Sequence, residues 1–137
     1  MDINNENNTA MSLNKLKTLH TLKTGELIKA SVLLGGYAAT NATQEDLDQL
    51  KIFGKTLGLL YQVCDDILDV TADENVLGKQ SGTDEALGKF TYINALGLDG
   101  AKDYAQELQQ DCLEALNNIN GDSMHLITIT NKIFQRI

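Results

Sequence analysis

An all-α fold is predicted for this 137-residue chain by three features. It contains no proline, its apolar residues recur at steps of three or four, and polar capping residues stand where those runs begin. One domain accommodates the length, and a hydrophobic content of 42% suffices for a packed core. The apolar runs are too short to span a bilayer. The opening MDINNENNT has neither the basic nor the apolar region of a secretory signal. Cys64 and Cys112 do not make a disulfide framework, so a reducing, cytoplasmic setting is expected. A formal charge of −8 argues against general nucleic-acid binding, because an acidic surface repels phosphate backbones.

The elements follow in order. Leu13, Leu16, Leu19 and Leu22 recur every third residue, and Leu27, Val32 and Leu34 continue the run to Gly35-Gly36, with Ser12 as the expected N-cap. Thr43 and Asp46 form a capping-box pair opening a helix over 44–70, about 40 Å long. Its buried stripe is Leu47, Leu50, Phe53, Leu57, Leu60, Cys64 and Ile67 or Leu68. Residues 71–90, rich in glycine and charge, read as a loop. Thr91 restarts a short helix. Tyr104, Leu108, Cys112, Ala115 or Leu116 and Ile119 then form a further stripe, ended at Asn120-Gly121. A last helix runs from Asp122 or Ser123 to about 136. Its Leu126–Thr130 stretch suits a strand equally well on propensity, but we read it as helix.

The chemistry centres on Tyr61-Gln62-Val63-Cys64-Asp65-Asp66-Ile67-Leu68-Asp69. On a helix Asp65 and Asp69 are about 40° apart, with Asp66 beside them and Gln62 on the same side. Like charges so placed repel, and near a helix C-terminus the macrodipole disfavours them. A nearby cation would offset both penalties, and hard carboxylate oxygens with open positions suit Mg2+ shared with substrate phosphates. An acidic, solvated helix end is the alternative. Downstream, Gly78-Lys79 and Gly88-Lys89 combine close backbone approach with mobile positive charge. No Walker loop is present, and an EF-hand register fails at Glu74 and Gln80. Lys23-Thr24-Gly25 interrupts the first apolar stretch. Lys23 is either a surface lysine or a cation facing the same cavity. His20 and His125 lack any metal-binding spacing, so structural or surface roles are expected, and the two cysteines read as small core residues.

Three segments in this order, LHTLKTGELIKASVLLGG, GLLYQVCDDILDV and LGKQSGTDEALGKFTY, resemble the back half of the trans-isoprenyl diphosphate synthases, bacterial farnesyl diphosphate synthases most nearly. The resemblance implies an all-helical bundle around a substrate cavity. It implies a prenyltransferase that joins isopentenyl diphosphate to an allylic diphosphate by Mg2+-assisted ionisation. Asp65, Asp66 and Asp69 match the second aspartate-rich motif and would hold the metal. Lys23 and Lys79, with Lys89 nearby and Arg136 as the basic tail, would hold diphosphate. Thr24, Gln62 and the Lys23 carbonyl would face the allylic cation, and Tyr61 the homoallylic substrate. A homodimer, no nucleic acid and no membrane span are implied as partners.

The pattern also departs from that family. No other DDxxD or DDxxxxD occurs, Arg136 is the only arginine, and Ile93 stands where the family has proline. The resemblance therefore implies that residues 1–137 form the C-terminal part of one synthase domain, without its first aspartate-rich motif. Such a part would expose helix faces and oligomerise or lose solubility. A non-catalytic, diphosphate-binding or dimerising partner is the alternative.

Overall fold

In the computed structural model, residues 5–76 and 90–137 are described, and every element among them is helical. Residues 5–38 form a continuous helical rod: α1 (Asn5–His20), a π turn (Thr21–Gly25) and α2 (Glu26–Ala38). Ser12 lies inside α1 rather than at its cap. The leader holds neither glycine nor proline, so nothing stops the helix from extending upstream. Gly35-Gly36 loosens the chain without ending it at once, and α2 runs on to Ala38.

Thr43 caps α3 (Gln44–Val76) as its sequence requires. The Asp46 N–H donates to Thr43 Oγ1 at 3.1 Å, and the Thr43 N–H donates back to Asp46 Oδ2 at 2.9 Å. The helix passes its expected end at 70 by six residues, because no breaker precedes Gly78. Thr71 fits inside it by bonding its hydroxyl to the Ile67 carbonyl at 3.0 Å. Of the loop expected over 71–90, residues 71–76 are thus helical, and 77–89 lie outside the described residues.

Thr91 and Asn94 cap α4 (Tyr92–Asn117) reciprocally, and Gly97, at φ 73°, kinks it after one turn. The segment that could have been a strand forms α5 (Met124–Phe134). There the Thr128 and Thr130 hydroxyls bond to the carbonyls four residues back, at 2.9 and 2.8 Å.

α3 is the central element, packed against α4 on one side and α2 with the π turn on another, while α5 closes against both α3 and α4. Phe53, Leu57, Leu60, Val63, Cys64 and Ile67 of α3 meet Tyr92, Ala101, Ala105, Leu108, Cys112 and Leu116 of α4 in the core. The expected stripes of α3 and α4 are therefore the buried ones. The leucine run of the first rod is not. A step of three residues drifts about 60° around a helix, so successive leucines spiral away from the core. Leu16 is buried, whereas Leu19, Leu22, Leu27 and Leu34 are 56–72% exposed, as is Tyr37. Exposed helix faces were expected from the sequence, and this rod carries them. Among the described residues no helix is long and apolar enough to cross a membrane.

The rod approaches α3 along two glycines. A Cβ at Gly58 would sit 2.6 Å from the Gly25 Cα, and one at Gly54 2.7 Å from the Lys29 Cα. Backbone thus rests on backbone, which locks the π turn onto α3.

Candidate functional site

Helical phase decides what α3 offers. At about 100° per residue, Gly54, Gly58, Tyr61, Gln62, Asp65 and Asp69 share one arc, while Val63, Ile67 and Leu60 occupy the buried side. Gly58 lies on the arc of Asp65 and Asp69. Its contact with Gly25 therefore brings the turn carrying Lys23 and Thr24 against the same arc, about two turns below Asp65. That turn is a π bulge, in which the Glu26 N–H reaches back five residues to the Thr21 carbonyl. Such single-turn bulges are frequent at functional sites. Lys23 is exposed there and Thr24 half-buried.

The structure divides the three acids. Asp66, 3% exposed, points inward. Its Oδ2 accepts the Tyr92 N–H at 2.9 Å and its Oδ1 accepts Gln62 Nε2 at 3.2 Å. Asp66 is therefore a buried acceptor at the start of α4, where the helix dipole favours a negative charge. Asp65 and Asp69 remain on the rim, half-buried. A macrodipole penalty does not bear on them as expected, since α3 continues to Val76 and the effect fades beyond the last turn. Gln62 is on the rim arc, but its amide is turned to Asp66. Among the described residues no ready-made cluster of three His, Cys, Asp or Glu ligands is present.

The chain's arginine completes this end. Arg136 Nη2 donates to Asp65 Oδ1 at 2.7 Å, and its guanidinium carbon lies 5.2 Å from the centre of the Tyr61 ring. Tyr61, Asp65 and Arg136 are thereby brought together. Lys79 and Lys89 lie outside the described residues.

Sequence reading gave His20 a structural or surface role and did not single out Tyr92. His20, immediately before the π turn, is buried with its ring 5.3 Å from that of Tyr92. Burial first, and the Lys23 ammonium second, hold its pKa below the ordinary 6.5. His20 Nδ1 and the Tyr92 hydroxyl are both buried without a hydrogen-bond partner. A tilted ring contact thus links the residue before the π turn to Tyr92, and a hydrogen bond links the Tyr92 amide to Asp66. The three-residue separation of His20 from Lys23 was the available signal. His125 is exposed, and the two cysteines are buried free thiols, as read.

Fold and site together define an all-helical protein whose central helix carries rim carboxylates, with Arg136 paired to one of them and a lysine-bearing π turn seated about two turns below. Comparison with known proteins makes this particular. The family model for polyprenyl synthetase matches residues 1–129, and the chain belongs to that family. It is 39% identical to farnesyl diphosphate synthase of Escherichia coli K12, over 90% of this chain and 42% of that one. It is 35% identical to geranylgeranyl pyrophosphate synthase 4 of Arabidopsis thaliana, over 92% of this chain and 34% of that one. A solved geranyltransferase from Helicobacter pylori, complexed with magnesium and isoprenyl diphosphate, superposes with a TM-score of 0.66 at 37% identity, over 90% of this chain and 40% of that one. The chain thus spans roughly a third to a half of the length of the curated relatives it matches.

Proposed function

We propose that these 137 residues supply the allylic-diphosphate-holding, C-terminal part of a prenyl diphosphate synthase. The supporting observation is the seating of Gly25 on Gly58, which sets the Lys23-Thr24 turn on the arc of Asp65 and Asp69. The donor set fits Mg2+: hard carboxylate oxygens one helical turn apart, one of them already bonded to a cationic group. When bound, the metal neutralises charge on the departing diphosphate. Asp65 and Asp69 would hold it, and Asp66 would brace them from behind through Gln62 and the Tyr92 amide.

Lys23 binds a diphosphate oxygen, and Lys79, Lys89 and Arg136 add positive charge from the other sides. Bond breaking between the allylic carbon and diphosphate leaves a cation, toward which Thr24, Gln62 and the Lys23 carbonyl direct oxygen dipoles. The double bond of isopentenyl diphosphate attacks that cation, and proton loss completes the condensation. Tyr61 lines the homoallylic side. A homodimer in the cytoplasm is the assembly and setting that go with this reading.

A second reading is favoured by the exposed stripe of Leu22, Leu27, Leu34 and Tyr37. It casts the chain as a non-catalytic partner that binds diphosphate and docks or dimerises through this face. Incubation with geranyl diphosphate, isopentenyl diphosphate and Mg2+ separates the two. We expect the chain alone to bind Mg2+–pyrophosphate without turnover, and to turn over only when the remainder of a family synthase is added. Turnover by the chain alone would overturn the partial-site reading. Failure to bind would overturn the site itself.

A further inference from the structure

The contact between Arg136 and Asp65 carries a consequence for how the rim takes up metal. We infer that Arg136 is a built-in competitor for a divalent cation at Asp65, so that metal uptake and release of the Arg136 side chain from Asp65 and Tyr61 are one coupled event. This rests on the reading of Asp65 as a metal-facing carboxylate, and it concerns what the chain's own cation does there.

The geometry is specific. Tyr61 and Asp65 lie one turn apart on α3, so a single guanidinium spans both, at 2.7 Å from the carboxylate and 5.2 Å from the ring centre. The main chain at the end of α5 is held by three successive bonds. The Gln135 N–H donates to the Asn131 carbonyl at 2.8 Å, that of Arg136 to Ile133 at 3.3 Å and that of Ile137 to Phe134 at 3.2 Å. Ile133 and Phe134 pack on the core. The backbone below Arg136 is thus fixed, while the side chain itself is 38% exposed and free to swing.

An oxygen that accepts a charged N–H at this distance cannot present the same lone pair to a metal, and two cations at van der Waals separation repel. Because the pair is over a third exposed on both sides, exchange of one cation for the other is inexpensive. Coupling of this kind is reciprocal: whatever Arg136 subtracts from metal affinity, metal subtracts from docking of the Arg136 guanidinium.

The test is Mn2+ binding to the full chain, read from the loss of the free-ion electron paramagnetic signal at neutral pH and low salt. Arg136→Gln is expected to bind about fivefold more tightly than the wild type, the scale of an exposed ion pair, and Arg136→Lys to fall between. Lys132→Gln removes an equal charge from the same helix without touching Asp65, and is expected to change affinity by less than about twofold. Unfolding weakens binding, so a gain in affinity cannot come from a damaged variant. Equal or weaker binding by Arg136→Gln, or an equal gain in Lys132→Gln, overturns the competition while leaving the metal site standing. Absence of Mn2+ binding in every variant overturns both the competition and the functional reading beneath it.

Discussion

Two stretches of α3 each bury an aspartate, and only one of them is proposed as a site. At the first, Asp46 accepts the Thr43 N–H of its own cap and, with its other oxygen, the Asn120 N–H from beyond α4, each at 2.9 Å. At the second, Asp66 accepts the Tyr92 N–H at 2.9 Å and the Gln62 amide. Both carboxylates tie a distant backbone amide to α3, so a buried acid alone marks architecture. What distinguishes the second stretch is the surplus. Asp65 and Asp69 sit on the rim, Arg136 is paired with Asp65, and a lysine-bearing π turn is pressed against the same arc. Two like-charged carboxylates one helical turn apart on the rim are the feature for which we propose a bound cation.

Substitution at adjacent positions should break this comparison most sharply. Asp66→Ala strands the Tyr92 N–H in the core and is expected to cost about 2–3 kcal/mol in urea unfolding. Asp65→Ala, which removes only a half-exposed ion pair, should cost less than about 1 kcal/mol. Equal losses would erase the distinction between brace and rim.

Gly58→Ala comes next. Its methyl group would meet the Gly25 backbone, with an expected cost of about 1–3 kcal/mol and weaker diphosphate binding, while Gly35→Ala, which meets nothing within 4 Å, should leave binding intact.

Acid should separate the two stretches in turn, through His20 against Tyr92 at one and Asp46 at the other. His20 has a lowered pKa in the fold, so as pH falls below 6.5 the unfolded chain binds a proton first and stability declines until the folded ring also protonates. His20→Leu should flatten the urea midpoint across that window. Asp46, held below the usual carboxylate value by the Thr43 and then the Asn120 amides, keeps its contribution above pH 3.8 and loses it only as pH falls further.

The smallest effect is at the thiols. Burial pushes Cys112 up to about 12 and Cys64 up to about 11, the latter opposed by Arg136. Neither should react with a disulfide reagent at pH 8 until denaturant is added, and rapid modification of Cys64 would place the acid end in solvent.

Most of the fold was legible because its signals are local. Thr43 with Asp46, Thr91, and the apolar steps of α3 and α4 each specify themselves within a few residues. The π turn was not legible, since no local signal marks it and the close approach of Gly25 to Gly58 that accompanies it joins residues far apart in sequence. The extent of α3 was misjudged by weighing charge over the absence of any breaker before Gly78. Within the site, the acidic motif was legible as a group, but Asp66 was not separable from Asp65 and Asp69 by composition. Helical phase places it about 100° from Asp65, and the Tyr92 amide that holds it comes from another helix. The pairing of Arg136 with Asp65 joins positions whose contact no sequence pattern encodes.

Calorimetry on the full chain tests the central claim most directly, with pyrophosphate titrated in the presence and absence of Mg2+. Metal-dependent heat is expected for the wild type and for Cys112→Ala, and its loss for Asp65→Ala. Heat that is independent of the metal, or unchanged by Asp65→Ala, would contradict the account.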